Sequence, residues 1–157
     1  MKIKGIIIED FINYKEPSIV IEFPYCDWKC DRECGQKVCQ NSHLAHTSGY
    51  DISFENIVKY YMQNEITKAI CFQGLEPFDS KEDWLSLVDI FRQYTQDTII
   101  IYTGYNEDEL TDKINQLKQY KNIIIKFGRF IPNQSSRYDE LLGVTLASNN
   151  QYAKQIS

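Results

Sequence analysis

Three cysteines and an asparagine are the residues of this chain whose types and spacing best support chemistry. Three residues separate Cys26 from Cys30, eight separate Cys30 from Cys39, and Asn41 follows shortly after. Closely spaced thiolates favour soft metals, and three of them on a cubane 4Fe–4S cluster leave the fourth iron open for a substrate or cofactor. The stretch 24–42 therefore predicts an iron–sulfur ligand loop with a long second interval.

Further metal-ligating residues in and after this loop leave alternatives open. Cys34 could replace Cys39 as the third cluster ligand, or all four cysteines of the loop could form a zinc site. His43 and His46 follow closely, and we interpret them as surface histidines rather than ligands. The remaining cysteine, Cys71, lies within an apolar run and is interpreted as a buried core thiol.

Composition and charge place the chain among globular proteins and exclude some functions. It has 157 residues, 43% hydrophobic and 25% charged, which predicts one domain over 1–157. The net charge of −5 and the lack of a Lys/Arg run argue against nucleic acid as the main partner. No signal peptide or membrane-spanning run is found, so we predict a cytoplasmic protein. In that compartment, clustered cysteines favour metal or redox chemistry over disulfides.

The elements that must position these residues alternate between strands and helices. We predict strands over 2–9, 18–23, 68–73, 98–102 and 122–127, a final strand within 141–157, and helices over 55–64, 80–94 and 107–120, the first of them capped by Ser53. Apolar strands without alternation are typical of a parallel sheet covered on both faces. Since a complete eightfold α/β barrel needs about 250 residues, we predict an α/β fold that is a partial barrel or an open, mostly parallel sheet.

The polar and glycine residues of interest follow the predicted strands directly. In such sheets ligands bind at the carboxyl ends of the strands. The cysteine loop follows the first core strand, residues 74–77 the second, 103–105 the third and 128–129 the fourth. Gly74 would allow a ligand to approach the backbone closely, and Glu76 would supply a carboxylate or fix the turn.

Taken in order, these segments resemble the radical S-adenosylmethionine (SAM) superfamily and, within it, the activating proteins of anaerobic (class III) ribonucleotide reductase. The family's cluster motif is C-x₃-C-x₂-C followed by x-N. The segments that match family motifs are the cysteines Cys26, Cys30 and Cys39 with Asn41, then FQGLEP at 72–77, IYTGY at 101–105 followed by Glu109-Leu110, GRF at 128–130, and SNNQ at 148–151. Five matches in the same order are far more specific than any one alone.

The resemblance implies a site, a reaction and partners. Cys26, Cys30 and Cys39 would bind a 4Fe–4S cluster, and SAM would be bound by Val38, Asn41, Gln73, Gly74, Leu75, Glu76, Thr103 and Arg129, the last meeting the SAM carboxylate. Reductive cleavage of SAM would give a 5′-deoxyadenosyl radical, which generates a glycyl radical on a partner such as the anaerobic ribonucleotide reductase large subunit. An external reductant such as flavodoxin or ferredoxin would supply the electron, and no protein side chain is assigned a catalytic role.

The chain also departs from the family pattern. The resemblance favours Cys39 over Cys34 as third ligand, because Val38 and Asn41 then keep their usual places, and residues 31–36 become an insertion that we predict to be an outward bulge. Leu75 replaces a glycine, Phe127 an aspartate, and Tyr25 a glycine. Alternative functions are a small radical SAM enzyme with another substrate, as in modified-base synthesis, and a non-catalytic metal-binding or electron-transfer module.

Overall fold

An open sheet of six strands forms the centre of the molecule in a computed structural model that describes residues 1–157. The strands are β1 Lys2–Ile3, β2 Gly5–Asp10, β3 Ser18–Phe23, β4 Tyr50–Asp51, β5 Ala69–Gly74, β6 Thr98–Tyr102, β7 Ile123–Phe127, β8 Arg137–Asp139, β9 Val144–Leu146 and β10 Tyr152–Gln155. The helices are α1 Lys29–Cys34, α2 Ser42–Ala45, α3 Phe54–Gln63, α4 Asp83–Arg92 and α5 Thr111–Leu117, with 3₁₀ turns at Pro77–Asp79 and Glu107–Leu110. The strand order is β10-β7-β6-β5-β3-β2. The predicted α/β class with an open sheet is confirmed.

Four adjacent strands, β3, β5, β6 and β7, are parallel, as their uninterrupted apolar sequences predict. Strand β2 pairs antiparallel with β3 at one edge, and β10 pairs antiparallel with β7 at the other. The parallel strands therefore all end on the same side of the sheet. Loops that follow them must come together there.

The two faces of the sheet pack differently. One face carries the larger core, where Ile21, Phe72 and Ile101 meet apolar side chains of α3, α4 and α5. The opposite face carries a smaller core around Cys71 and Ile100, covered by residues of the turn after β2 and of the segment containing β8 and β9. Cys71 has no exposed surface, as predicted. Because fewer residues cover this second face, space remains there near the carboxyl ends of the strands.

Several predicted boundaries are corrected by pairing and by backbone conformation. The run predicted as one strand over 2–9 is two strands, because β1 pairs with β4 while β2 pairs with β3. The helix predicted over 80–94 begins only at Asp83, since Lys81 has a φ of +50° that a helix does not accept. The helix predicted over 107–120 starts as a 3₁₀ turn.

Other predicted elements are confirmed. Helix α3 begins after Ser53, whose hydroxyl accepts a hydrogen bond from the backbone N–H of Asn56 at 3.2 Å. The tail 141–157 contributes β10, as predicted, and in addition β9, which pairs with β8 in a hairpin that carries no strong strand signal in the sequence. None of the helices combines the length and the apolar character that crossing a membrane requires.

Candidate metal centre

A cavity of about 280 Å³ lies at the carboxyl ends of the parallel strands. Nearly all of the residues predicted for the site line it: Cys26, Cys30, Cys39, Asn41, Gln73, Gly74, Leu75, Glu76 and Thr103. Val38 and Arg129 are not part of the lining. The fold therefore brings the cysteine loop together with the segments that follow β5 and β6.

The three cysteine side chains in the cavity are partly buried, which favours the form that keeps the thiol proton. Burial raises the pKa of the Cys26 thiol to about 12, against the opposing effect of a hydrogen bond from the Trp28 N–H. Burial also raises the pKa values of Cys30 and Cys39. A bound metal must displace these protons, so its affinity rises with pH. The Trp28 N–H lies 3.2 Å from Cys26 Sγ and would also donate to a metal-bound thiolate.

Cys34 lies outside this cavity. It lines a separate pocket beside the loop, together with Glu33 and Arg129. The placement favours Cys39 over Cys34 as third ligand, and it does not bring four thiols together as a zinc site would require. His43 and His46 are exposed, in agreement with their interpretation as surface residues.

The insertion is helical where a bulged loop was predicted. Helix α1 runs from Lys29 to Cys34 and ends at Gly35, whose φ of +71° is typical of a glycine that terminates a helix. The chain then folds back, because Asp31 Oδ1 accepts backbone hydrogen bonds from Val38 at 2.8 Å and from Cys39 at 2.9 Å. Asp31 thus fixes the position of Cys39, a role that no sequence motif indicates.

A network of charges attaches α1 to the rest of the site. The Arg129 guanidinium donates two hydrogen bonds to the Glu109 carboxylate, at 2.7 and 2.8 Å, and its Nε lies 3.0 Å from Glu33 Oε2. Lys29, one turn before Glu33, also contacts Glu109. The guanidinium of Arg129 lowers the pKa of the Glu109 carboxyl to about 2.

The Arg129 guanidinium is therefore bonded to carboxylates of the protein itself. It is only 6% exposed and both of its terminal nitrogens are bonded to Glu109. The predicted contact between Arg129 and a ligand carboxylate has no support from this arrangement.

Glu76 acts as a buried acceptor that fixes the strand ends. Its carboxylate accepts from the Thr103 hydroxyl at 2.9 Å, from the Gly104 N–H at 2.9 Å and from the Phe78 N–H at 3.2 Å. Burial raises the pKa of Glu76 to about 7, against the lowering effect of these bonds. Glu76 thereby ties the segment after β5 to the segment after β6.

Asn41 links the cysteine loop to the end of β5 in a similar way. Its side-chain amide donates to the carbonyl oxygen of Gly74 at 2.6 Å. The end of the cysteine loop is thus bonded to the end of β5. This contact explains why an asparagine at this distance from Cys39 is useful to the site.

The space around Cys30 fits a bulky metal group. A Cβ atom added to Gly104 would lie 3.2 Å from Cys30 Sγ, so the missing side chain keeps the surroundings of the thiol open. The donor set is three thiols with no other cysteine beside them in the cavity. Both observations fit an iron–sulfur cluster held by Cys26, Cys30 and Cys39.

One charged residue of the cavity, Lys126, is not among the site residues that the sequence predicts. Lys126 near the end of β7 lines the cavity, is 7% exposed, and donates to the carbonyl of Gly128 at 3.2 Å. Burial lowers its pKa to about 8, against the opposing effect of Glu76 and Cys30. The sequence feature that points to Lys126 is its position as a single lysine inside an isoleucine-rich strand.

An open α/β sheet with three thiols gathered at its strand ends defines a metal-binding protein of the iron–sulfur class. Comparison with known families agrees: residues 19–152 match the family described as 4Fe-4S single cluster domain, and the chain belongs to this family. None of the curated proteins or solved structures matches the chain. The family supports the predicted 4Fe–4S cluster as the cofactor.

Proposed function

We propose that this iron–sulfur protein is a radical SAM activase that generates a glycyl radical on a partner enzyme, with anaerobic ribonucleotide reductase as the favoured partner. The observation that carries the proposal is the single cavity containing the three cysteines, Asn41 and residues 73–76. These are the segments whose order along the chain resembles that family.

In this proposal Cys26, Cys30 and Cys39 hold three irons of the cluster. When bound there, the cluster and SAM would supply one-electron reductive cleavage of the sulfonium, to methionine and a 5′-deoxyadenosyl radical. The electron comes from an external reductant of the flavodoxin or ferredoxin kind, and the hydrogen atom from a glycine Cα of the partner.

The other residues of the cavity bind and orient SAM. Gly74 lets the end of β5 lie close against the backbone of β3, and its own backbone lines the cavity in which the methionine part of SAM would lie. Asn41 and Glu76 hold the segment around Gly74 in place through their hydrogen bonds. Val144 and Leu146 provide an apolar wall on the side of the β8–β9 hairpin. The partner would cover the open side and exclude water from the radical.

The proposal is tested by anaerobic reconstitution with iron and sulfide, followed by reduction with dithionite in the presence of SAM. We expect 5′-deoxyadenosine, measured by chromatography, from protein that holds about four iron atoms per chain. Cys30→Ala should yield neither the full iron content nor the product. Fully loaded wild-type protein that gives no 5′-deoxyadenosine would overturn the proposal.

A non-catalytic electron-transfer module is the second candidate, and one residue favours it. Phe127 stands where the resembled family has an aspartate, and its side chain packs in the core on the helical face. A cluster that is reduced and reoxidised reversibly without consuming SAM would support this candidate.

A further inference from the structure

Lys126 carries a buried positive charge for which the protein supplies no close negative partner. Its ammonium donates to the Gly128 carbonyl at 3.2 Å, and no carboxylate lies within 4.0 Å of it. The ring of Tyr102, the residue paired with it on β6, has its centre 5.9 Å away. An ammonium has three N–H donors, so most of its hydrogen-bonding capacity remains unused.

The nearby acid does not compensate this charge directly. Glu76 accepts hydrogen bonds from Thr103, Gly104 and Phe78, and it forms no salt bridge with Lys126. Burying a charge is costly unless it is paired and hydrogen-bonded. A buried lysine that lines a cavity and keeps free donors is therefore suited to an anionic ligand.

Arg129, the cation that the family resemblance assigned to the ligand carboxylate, is not available for that role. Arg129 is engaged by Glu109 and Glu33 and does not line the cavity. Lys126 does line it, on the same face of the sheet as Tyr102. Arg129 therefore binds a carboxylate of helix α1, whereas Lys126 faces the cavity.

We propose that Lys126, rather than Arg129, binds the α-carboxylate of SAM in this cavity. The inference rests on the proposed function and adds to it a residue outside the motifs that suggested it. The Gln151 side chain donates to the same Gly128 carbonyl at 3.2 Å, and this fixes the oxygen that orients the ammonium.

The test measures binding rather than turnover. Reconstituted protein under anaerobic, non-reducing conditions is dialysed to equilibrium against SAM and, separately, against decarboxylated SAM. We expect Lys126→Met to weaken SAM binding about ten- to a hundredfold, the range of a hydrogen bond to a charged group. Binding of decarboxylated SAM should change less than twofold, because that ligand lacks the group that Lys126 recognises.

Lys113→Met is the matched control. Lys113 also donates to a backbone carbonyl, that of Phe78, and lies 5.3 Å from an aromatic ring centre, but it does not line the cavity. It removes the same charge and should leave the affinity for SAM unchanged. If Lys126→Met does not take up iron, Lys126→Gln, which retains a donor for Gly128, gives the same comparison.

Each other outcome contradicts the inference. Equal loss of affinity for both ligands, or no loss for either, would show that Lys126 does not recognise the carboxylate. A selective loss of SAM affinity in Arg129→Lys, without one in Lys126→Met, would return the role to Arg129. Failure of iron-loaded wild-type protein to bind SAM at all would overturn the proposed function, and the inference with it.

Discussion

Gly74 is a position where one added methyl group should destabilise the protein through both backbone conformation and steric contact. Its φ is +98°, and a Cβ atom would lie 2.6 Å from the backbone nitrogen of Phe23 and 2.9 Å from the carbonyl carbon of Glu22. Both atoms belong to β3, the parallel neighbour of β5. Because backbone cannot rotate away as a side chain can, Gly74→Ala must separate the two strands or distort the turn.

The loss of folding free energy in Gly74→Ala can be estimated by comparison with a second glycine, Gly35. Gly35 has a φ of +71°, but a Cβ there would meet nothing within 4 Å. Gly35→Ala should therefore cost only the left-handed conformation, about 1–2 kcal/mol, less about 0.5 kcal/mol for the stiffer unfolded chain. Gly74→Ala adds a steric term of about 1–3 kcal/mol. We expect total losses of about 1 kcal/mol for Gly35→Ala and about 2–4 kcal/mol for Gly74→Ala.

Far-ultraviolet circular dichroism measures this difference when it monitors the thermal unfolding of the metal-free proteins under reducing conditions. For a chain of this size, 1 kcal/mol corresponds to about 2–4 °C in Tm. Gly74→Ala should thus unfold about 5–15 °C below wild type, and Gly35→Ala about 2–4 °C below it. Equal Tm values for the two variants would refute the explanation that contact with the β3 backbone requires glycine at position 74.

Two further predictions concern the metal ligands and the charge network. Cys34→Ala should retain about four iron atoms per chain after reconstitution, whereas Cys39→Ala should lose most of them; the reverse iron contents would make Cys34 the third ligand. Glu109→Gln should lower the free energy of unfolding by about 1–2 kcal/mol at pH 7, between the values for surface and buried pairs. Since the folded pKa of Glu109 is lowered to about 2, this difference should be complete above the unfolded pKa and shrink as the pH falls from about 4.5 toward 2. Urea midpoints at several pH values measure it, and a difference that does not vary with pH would contradict the prediction.

The central sheet and the location of the site could be predicted from the sequence. Continuous apolar runs such as 98–102 and 122–127 specify buried parallel strands, and parallel strands collect their following loops at one edge. Hence Cys26, Cys39 and Gly74 could be placed together without knowledge of the structure. These inferences need only local patterns and one rule of sheet geometry.

The details that escaped prediction depend on residues far apart in the sequence. The Arg129 guanidinium is bonded to Glu109, which lies 20 positions away in the sequence. Glu109 also contacts Lys29, which lies 80 positions away. No periodicity encodes such partners. Lys126 was overlooked because a strand pattern shows alternation but not which face lines a cavity; the pairing of β7 with β6 and the cover provided by the β8–β9 hairpin decide that.

The helical insertion also alters how the long interval between Cys30 and Cys39 should be understood. Lengthening a flexible loop costs only about 0.6 kcal/mol of closure entropy per doubling. Going from two intervening residues to the eight found here is two doublings, or about 1.2 kcal/mol. The two backbone hydrogen bonds to Asp31 offset part of that cost. The part of this interval after helix α1 is therefore a site where the chain should tolerate a grafted peptide or a spectroscopic label, provided that Asp31, Glu33 and Cys39 are kept.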